Sequence, residues 1–234
     1  MRATICLPTY NERENLPRLV GALAGVLREG DRVLVIDDAS PDGTGAIADR
    51  LAEEHGFVDV LHRGAKDGLG RAYIDGFRHV LQGDAELILE MDCDFSHDPA
   101  DVPRLIAAAE EGADLVLGSR YVAGGGTRNW GLARRLISRG GSVYTALFLN
   151  MGVKDPTGGF KCFRRAVLER LDLDAVTPRG YAFQIEMTYR VKRLGFRVVE
   201  IPITFADREV GQSKMSRAVV LEAIWRVPLL RARV

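Results

Sequence analysis

The sequence has little cysteine and no long apolar run. Its 234 residues include three widely spaced cysteines, Cys6, Cys93 and Cys162. An odd number without metal-binding spacing argues against a disulfide framework or a zinc site and indicates a reduced, intracellular protein. The longest apolar candidate, Val143 to Val153, is shorter than the ~18–20 residues of a membrane span. A strand-like run begins at Ala3, so we expect neither a signal peptide nor a membrane-spanning helix.

The sequence also has no net charge. Its 32 basic and 32 acidic residues cancel, and the pI is near 6.9. Nucleic-acid-binding proteins usually carry an excess of basic residues, so we expect no nucleic-acid partner. The motifs Gly-x-x-x-x-Gly-Lys-Ser/Thr and Gly-x-Gly-x-x-Gly do not occur, which argues against a P-loop NTPase and a Rossmann dehydrogenase. What is present is ordinary globular composition, with 47% hydrophobic and 27% charged residues.

Short apolar runs alternate with amphipathic helical patterns in the first half of the chain. This alternation predicts βαβ units and an α/β fold with a mostly parallel sheet flanked by helices. Ligands of such sheets bind beyond the carboxyl ends of the strands, so the polar residues after each strand become functional candidates. The predicted strands are Ala3–Leu7, Arg32–Asp37, Val58–His62, Leu87–Met91 and Leu115–Leu117, and the predicted helices lie at about 15–28, 44–54, 70–81 and 100–110.

The second half is less regular, but no clear linker interrupts it. We therefore expect a single domain over residues 1–216, followed by a C-terminal helix over 217–234 that contacts a membrane or a partner. The patterns predict a helix over Leu132–Leu149, a strand at Phe160–Arg164, a helix near Ala182–Leu194, strands at Arg197–Ile201 and Ile203–Ala206, and a polar loop from Asp207 to Ser216.

Polar clusters follow the first two predicted strands. Tyr10 and Glu12 come after the first strand, and Asp38 comes after the second. Adjacent parallel strands bring such loops together at one edge of the sheet. Tyr10 is suited to stacking on a base, while Glu12 and Asp38 are suited to accepting hydrogen bonds from a base or ribose. Asn11 and Ser40 are better explained as helix caps, whereas Glu12 and Asp38 together favour a nucleoside pocket.

Two carboxylates, Asp92 and Asp94, stand where the predicted strand Leu87–Met91 ends. In an extended chain, residues two apart face the same way, with Cα atoms ~6–7 Å apart. Carboxylate oxygens and substrate phosphates are the usual ligands of Mg²⁺ in proteins. The pair therefore favours a divalent cation held against a diphosphate over a solvated turn. His97 is expected to support this pair or to cap a helix, and not to act as a catalytic base.

Basic residues form a further group of candidates. Arg120 follows the fifth predicted strand, and Arg208 and Lys214 lie in the polar loop. Such a loop is suited to folding over phosphates and to releasing product later. Asp155 is consistent with either a turn residue or an active-site acid. The long helix carries three more arginines whose roles stay open, Arg134, Arg135 and Arg139.

Several motifs are similar to those of one enzyme family. Residues 7–12 read LPTYNE, residues 35–44 read VIDDASPDGT, and residues 91–99 read MDCDFSHDP. These motifs resemble family 2 glycosyltransferases of the GT-A fold, whose sheet is Rossmann-like. The resemblance narrows to dolichol- and polyprenol-phosphate mannose synthases through GSRY at 118–121, NW at 129–130, ISRG at 137–140, DPTGGF at 155–160 and GYAFQIEM at 180–187, with Asp207-Arg208 through Ser213-Lys214.

The resemblance implies an inverting transfer of mannose from GDP-mannose to a dolichyl or polyprenyl monophosphate, with Mg²⁺ or Mn²⁺ as cofactor. It implies that Asp92 and Asp94 organise the metal and the nucleotide diphosphate, with Ser96 where some relatives carry a Gln ligand. The implied nucleoside contacts are Pro8, Tyr10, Glu12 and Asp38, and the implied phosphate contacts are Arg120, Arg208 and Lys214.

The resemblance also implies partners at a membrane. Some relatives continue into membrane helices, whereas this chain is similar to the short form without them. We therefore expect a cytoplasmic enzyme, peripheral to the membrane surface and served by a separate membrane-anchoring protein. Candidates for lipid contact are Leu136, Tyr144, Leu147 and Phe148 in the long helix and Trp225 near the end, with core packing as the alternative.

The type of acceptor determines which catalytic groups are needed. A phosphate monoester has a second pKa near 6, so it is already an anionic nucleophile and needs no general base, unlike a hydroxyl acceptor. The main alternative is another family 2 enzyme that uses UDP-glucose or a hydroxyl acceptor. The acidic pair and the Lys214 loop argue against a non-catalytic nucleotide- or lipid-binding protein on the same fold. A sugar nucleotidyltransferase is disfavoured because no glycine-rich, basic phosphate loop follows the first strand.

Overall fold

The computed structural model describes residues 1–177, 180–207 and 227–233. The strands in these ranges are β1 (Ala3–Thr9), β2 (Arg32–Asp37), β3 (Val58–His62), β4 (Leu87–Glu90), β5 (Leu115–Ser119), β6 (Gly126–Thr127), β7 (Lys161–Arg164), β8 (Val198–Pro202) and β9 (Thr204–Phe205). The helices are α1 (Asn15–Ala24), α2 (Thr44–Glu54), α3 (Leu69–Val80), α4 (Val102–Glu110), α5 (Leu132–Phe148), α6 (Arg165–Arg170) and α7 (Gly180–Arg193).

Seven strands form one sheet in the order β3-β2-β1-β4-β7-β5-β8. Strands β1 to β4 run parallel, as do β5 and β8, while β7 lies antiparallel between β4 and β5. Strands β6 and β9 form a separate parallel pair. The predicted mostly parallel sheet flanked by helices is therefore confirmed, and the carboxyl ends of β1 to β4 share one edge.

The central strands are apolar on both faces because helices cover both sides of the sheet. Along β1, Cys6 belongs to one hydrophobic core, while Ile5 and Leu7 belong to the other. All three side chains are buried, as expected for a parallel sheet that is covered twice. Helix α3 lies so close to the sheet that a Cβ at Gly76 would collide with Ile36.

The C-terminal segment 227–233 is helical and docks on one of these cores. Val227 and Leu230 are buried, whereas Leu229 is exposed. Arg231 donates a hydrogen bond from Nη1 to the carbonyl of Phe148 at 3.0 Å. The predicted boundary at residue 216 and Trp225 lie outside the described residues. Of the helices in the described ranges, none has the length and apolarity to cross a membrane.

Candidate active site

The loops after β1 and β2 lie side by side, as the sequence predicts. Thr9 is opposite Asp37 in the parallel ladder, and the next amide, that of Asp38, donates to the Thr9 carbonyl at 3.0 Å. The amide of Glu12 donates to Thr44 Oγ1 at 3.0 Å. These bonds fix both proposed nucleoside-binding loops to each other before any ligand arrives.

Two basic residues that the sequence reasoning missed belong to this cluster. Arg63 donates to the carboxylate of Asp38 and, from Nε at 2.9 Å, to Asp75. Lys66 places its Nζ 3.4 Å from the ring centroid of Tyr10. Burial raises the pKa of Asp38, and the charge of Arg63 opposes that shift. Arg63 directly follows β3 at the same sheet edge. The rule that ligands bind beyond the carboxyl ends of strands, which identified Asp38, applies to Arg63 as well.

The acidic pair lies in a bend and not in extended chain. Strand β4 ends two residues before Asp92, and Phe95 has a φ of 58°. The chain bends at Cys93 and Asp94, so the predicted extended conformation of this pair is not found. Asp94 is buried and its Oδ1 accepts the amide hydrogen of Ser96 at 3.0 Å, whereas Asp92 is half-buried.

His97 supports this bend from within the core. Its Nδ1 accepts the amide hydrogen of Asp92 at 3.2 Å. Its ring stacks on Phe160 with centroids 4.8 Å apart and meets Phe205 edge-on at 5.3 Å. Burial lowers the pKa of His97 to about 4, so the imidazole is neutral near pH 7. The structure agrees with the predicted supporting role.

The oxygen atoms of this bend fit a divalent cation. The Oγ of Ser96 is buried and has no hydrogen-bond partner within the described part of the chain. The residues placed in the structure contain no group of three or more His, Cys, Asp or Glu side chains suited to a metal. Asp92, Asp94 and Ser96 therefore fit Mg²⁺ or Mn²⁺ only if phosphates and water complete the ligand set, which is how Mg²⁺ is usually bound.

Arg120 and Asp155 form a buried ion pair beside the bend. Arg120 donates to the Asp155 carboxylate from Nε at 2.7 Å, from Nη2 at 2.6 Å and from its backbone amide at 2.9 Å. Nη2 also donates to Thr157 Oγ1 at 2.8 Å. Asp155 is 0% exposed and Arg120 is 8% exposed. The carboxylate of Asp155 therefore neutralises and orients Arg120, which is a role that neither of the two sequence-based alternatives described.

Of the three helix arginines, Arg134 is held by a carboxylate, and Arg135 donates a hydrogen bond to the carbonyl of Thr127 at 3.2 Å. Arg134 donates from Nη1 to both oxygens of Asp207 at 2.9 Å. Its guanidinium carbon lies 4.0 Å from the Trp130 ring centroid. This pair attaches the start of the predicted polar loop to α5. Arg135 and Arg139 are exposed, and Arg208 and Lys214 lie outside the described residues.

Known proteins resemble this chain in sequence over nearly its whole length. Residues 4–172 match the family described as Glycosyl transferase family 2. The chain is 50% identical to an undecaprenyl-phosphate mannosyltransferase of Micrococcus luteus, over 97% of this chain and 93% of the relative. It is 48% identical to a polyprenol monophosphomannose synthase of Mycolicibacterium smegmatis, over 97% of this chain and 85% of the relative.

A solved structure shares the fold at much lower sequence identity. Glucosyl-3-phosphoglycerate synthase from Mycobacterium tuberculosis, in complex with Mn²⁺, UDP-glucose and phosphoglyceric acid, matches with a TM-score of 0.72 and 19% identity. The match covers 99% of this chain and 80% of the other, and it establishes the GT-A-like fold alone. The family match includes the loops after β1 and β2, the acidic bend and the Arg120 pair, and the matches to the two relatives cover 97% of the chain. The protein is thus a member of glycosyl transferase family 2.

Proposed function

We propose that this glycosyltransferase transfers mannose from GDP-mannose to a polyprenyl or dolichyl-type monophosphate, with inversion at the anomeric carbon. The observation that carries the proposal is 50% identity over 97% of the chain to the undecaprenyl-phosphate mannosyltransferase. The acidic bend and the nucleoside loops, both at the carboxyl ends of β1, β2 and β4, supply the groups that a nucleotide-sugar donor requires. The products are polyprenyl-phosphate mannose and GDP.

A phosphate acceptor suits the chemistry of the site. His97 is the histidine of the bend, and it is neutral, buried and engaged by the amide of Asp92. It is therefore not placed to remove a proton from an incoming hydroxyl. A phosphate monoester needs no such base, since it is already anionic near neutral pH. The protein has to align two phosphates and counter their charge, for which we propose Arg120, Arg208 and Lys214.

We assign the divalent cation to Asp92, Asp94 and Ser96. When bound, Mg²⁺ or Mn²⁺ would neutralise charge on the departing diphosphate. The protein's part is to hold the ligands in place. The amide of Ser96 orients Asp94, and His97 fixes the backbone at Asp92. The Ser96 hydroxyl would provide a third oxygen ligand for the cation.

The nucleoside loops favour guanine over uracil. We propose Pro8, Tyr10, Glu12 and Asp38 as nucleoside contacts. Asp38 is held by Arg63, and Glu12 accepts a hydrogen bond from Asn15 Nδ2 at 2.7 Å, so both carboxylates are oriented. A guanine edge offers adjacent N1–H and N2–H donors, and a carboxylate is an acceptor with two oxygens. A uracil edge offers a single N–H donor.

Competition between nucleotides tests this donor assignment. With labelled GDP-mannose, polyprenyl phosphate and Mn²⁺, unlabelled GDP should inhibit transfer at a concentration at least about tenfold lower than UDP, because one hydrogen bond of discrimination is worth about that factor. GMP and UMP serve as the matched pair without the diphosphate. Equal inhibition by GDP and UDP would contradict the donor assignment and favour a UDP-sugar enzyme of the same family.

Helix α5 presents an exposed aliphatic face. Leu132, Leu136 and Leu147 are 77%, 73% and 76% exposed, and spacings of 4 and 11 residues place them on one side of a helix. Ile137 and Val143 extend the exposed surface. Tyr144 and Phe148 are half-buried and lie against the core, which favours the core-packing alternative for these two residues. The exposed apolar side chains of α5 are therefore aliphatic.

We propose that α5 lies on the cytoplasmic face of a membrane that contains the acceptor lipid. An amphipathic helix with basic flanks binds a bilayer surface by burying its apolar side and attracting anionic lipids. Arg135 and Arg139 on the same helix are exposed and supply that charge. Arg134 joins α5 to Asp207, so the docked helix is connected to the active site. A separate membrane-anchoring protein would strengthen this contact.

Sedimentation with liposomes tests the docking of α5. The double substitution Leu136→Asp and Leu147→Asp should reduce binding to phosphatidylglycerol-containing vesicles by at least about tenfold, because it removes two large apolar contacts. Leu194→Asp, at a 39% exposed leucine outside α5, is the matched control and should bind normally. Equal binding by the double variant and the control would contradict docking through this helix.

A further inference from the structure

Strands β4 and β7 bring two charged side chains together inside the sheet. Glu90 and Lys161 are opposite residues of the antiparallel ladder, where Cβ atoms lie about 4.5–5.5 Å apart. Both residues are 0% exposed. Glu90 is the last residue of β4, two positions before Asp92. A carboxylate and an ammonium group therefore share the core next to the acidic bend.

The ammonium group is fixed by a helix and not by Glu90. Lys161 Nζ donates to the backbone carbonyl of Gln184 at 2.8 Å and also to the side-chain Oε1 of Gln184. An ammonium group has only donors, so it selects this oxygen and directs the Gln184 amide nitrogen elsewhere. Lys161 thus joins β7 to α7, and Glu90 interacts with it through charge.

The two charges stabilise each other against the cost of burial. Both side chains are fully buried at opposite positions of β4 and β7, and the charge of Glu90 attracts that of Lys161. Asp155 also attracts Lys161, but its carboxylate already accepts three hydrogen bonds from Arg120. Glu90 is therefore the carboxylate available to balance Lys161.

We propose that Glu90 is a positioning residue for the divalent cation, because it cancels the charge of Lys161 and prevents that ammonium from repelling metal at Asp92 and Asp94. The inference rests on the metal site of the proposed function. Glu90 lies two positions before Asp92, so the ammonium opposite it is close to the bend, and charges inside a protein interact at an effective dielectric constant of about 20, well below that of water. In this proposal, Lys161 connects β7 to α7 through its hydrogen bonds. Glu90 neutralises the charge of Lys161, so that a cation can bind nearby.

Direct measurement of Mn²⁺ binding tests this pairing. Electron paramagnetic resonance reports free Mn²⁺ during titration of the protein with GDP present, independently of turnover. Glu90→Gln should weaken Mn²⁺ binding by about tenfold, since it leaves the ammonium unbalanced. Lys161→Met alone should bind no more weakly than wild type. The double variant E90Q/K161M should return to within about twofold of wild type, because the added positive charge is gone.

A second buried glutamate supplies the control for structural damage. Glu186→Gln alters a 4% exposed carboxylate that pairs with Arg190 on α7. It should lower the thermal midpoint without weakening Mn²⁺ binding. A purely structural role for Glu90 would make E90Q behave like E186Q. Wild-type Mn²⁺ affinity in E90Q, or failure of Lys161→Met to rescue it, would overturn the proposal.

Two further outcomes are also decisive. If E90Q alone does not fold, the double variant E90Q/K161M, which has neither charge, is compared with wild type. A loss of Mn²⁺ affinity of more than about tenfold in this double variant would overturn the proposal. If wild-type protein itself binds no Mn²⁺ with GDP present, the metal assignment of the proposed function fails, and this inference fails with it. Weaker Mn²⁺ binding by E90Q, with wild-type binding restored in the double variant, would support both the metal assignment and the proposed role of Glu90.

Discussion

Replacing Asp92 with alanine is expected to reduce glycosyl transfer by about a thousandfold or more, equivalent to ~4 kcal/mol of transition-state stabilisation. Asp92 is half-buried at the edge of the sheet, so its truncation should leave the fold intact. On the proposed assignment, the substitution removes a carboxylate that would hold the cation against the departing diphosphate. Negative charge develops on that group, and it would then be stabilised less in the transition state.

The control for Asp92 lies near the other end of the same strand. Asp84 precedes β4, and its side chain is 66% exposed in an ion pair with Arg2. Asp84→Ala should keep full activity, because surface pairs contribute about 0–1 kcal/mol to stability. Circular dichroism and Mn²⁺ binding would be measured for both variants with the transfer rate. Full activity of Asp92→Ala in a folded protein would refute the metal assignment.

Replacing Asp155 with asparagine is expected to lower the free energy of unfolding by about 3–5 kcal/mol. The substitution preserves shape but leaves Arg120 as a buried cation without its counter-charge. The two side chains are 7% and 0% exposed, so water cannot replace the carboxylate. Domains of this kind are stable by about 5–15 kcal/mol, and the loss is therefore a large part of the total. Urea denaturation measures it.

An exposed ion pair gives the matched comparison for Asp155. Glu169 accepts a hydrogen bond from Arg165 at 2.6 Å, and its side chain is 50% exposed. Glu169→Gln should change the free energy of unfolding by less than about 1 kcal/mol. The double variant Arg120→Met with Asp155→Leu should recover much of the stability lost in Asp155→Asn, because no unpaired charge remains. Equal stability of Asp155→Asn and wild type would show that the pair is not structural.

Local patterns were sufficient to predict the first half of the sheet. Strands β2 and β3 have the predicted bounds, Arg32–Asp37 and Val58–His62, because continuous apolar runs between turn residues are a local signal. The placement of β7 between β4 and β5 was not predictable in this way. It depends on pairing between Leu87 and Arg164, residues far apart in sequence, and no periodicity encodes that register.

The site residues that follow strands were predictable from the topology of the sheet. Those that depend on contacts between distant parts of the chain were not. Asp38 and Asp92 follow strands, so their position at one edge followed from topology. The bend that begins at Cys93 was missed because the residue in it with a left-handed φ is Phe95, and no glycine signals the turn. Lys161 was also missed. A lysine in a short apolar strand is typical of a strand at the edge of a sheet, and only the tertiary structure shows that β7 lies between two other strands.

Formation of the mannosyl lipid is the most direct test of the central claim. Purified protein would be incubated with labelled GDP-mannose, polyprenyl phosphate and Mn²⁺, and the lipid fraction extracted and analysed by mass spectrometry and NMR. We predict polyprenyl-phosphate mannose with inverted anomeric configuration, formed only with a divalent cation and lost with EDTA. Release of free mannose without any mannosyl lipid, or undiminished transfer in EDTA, would contradict the account.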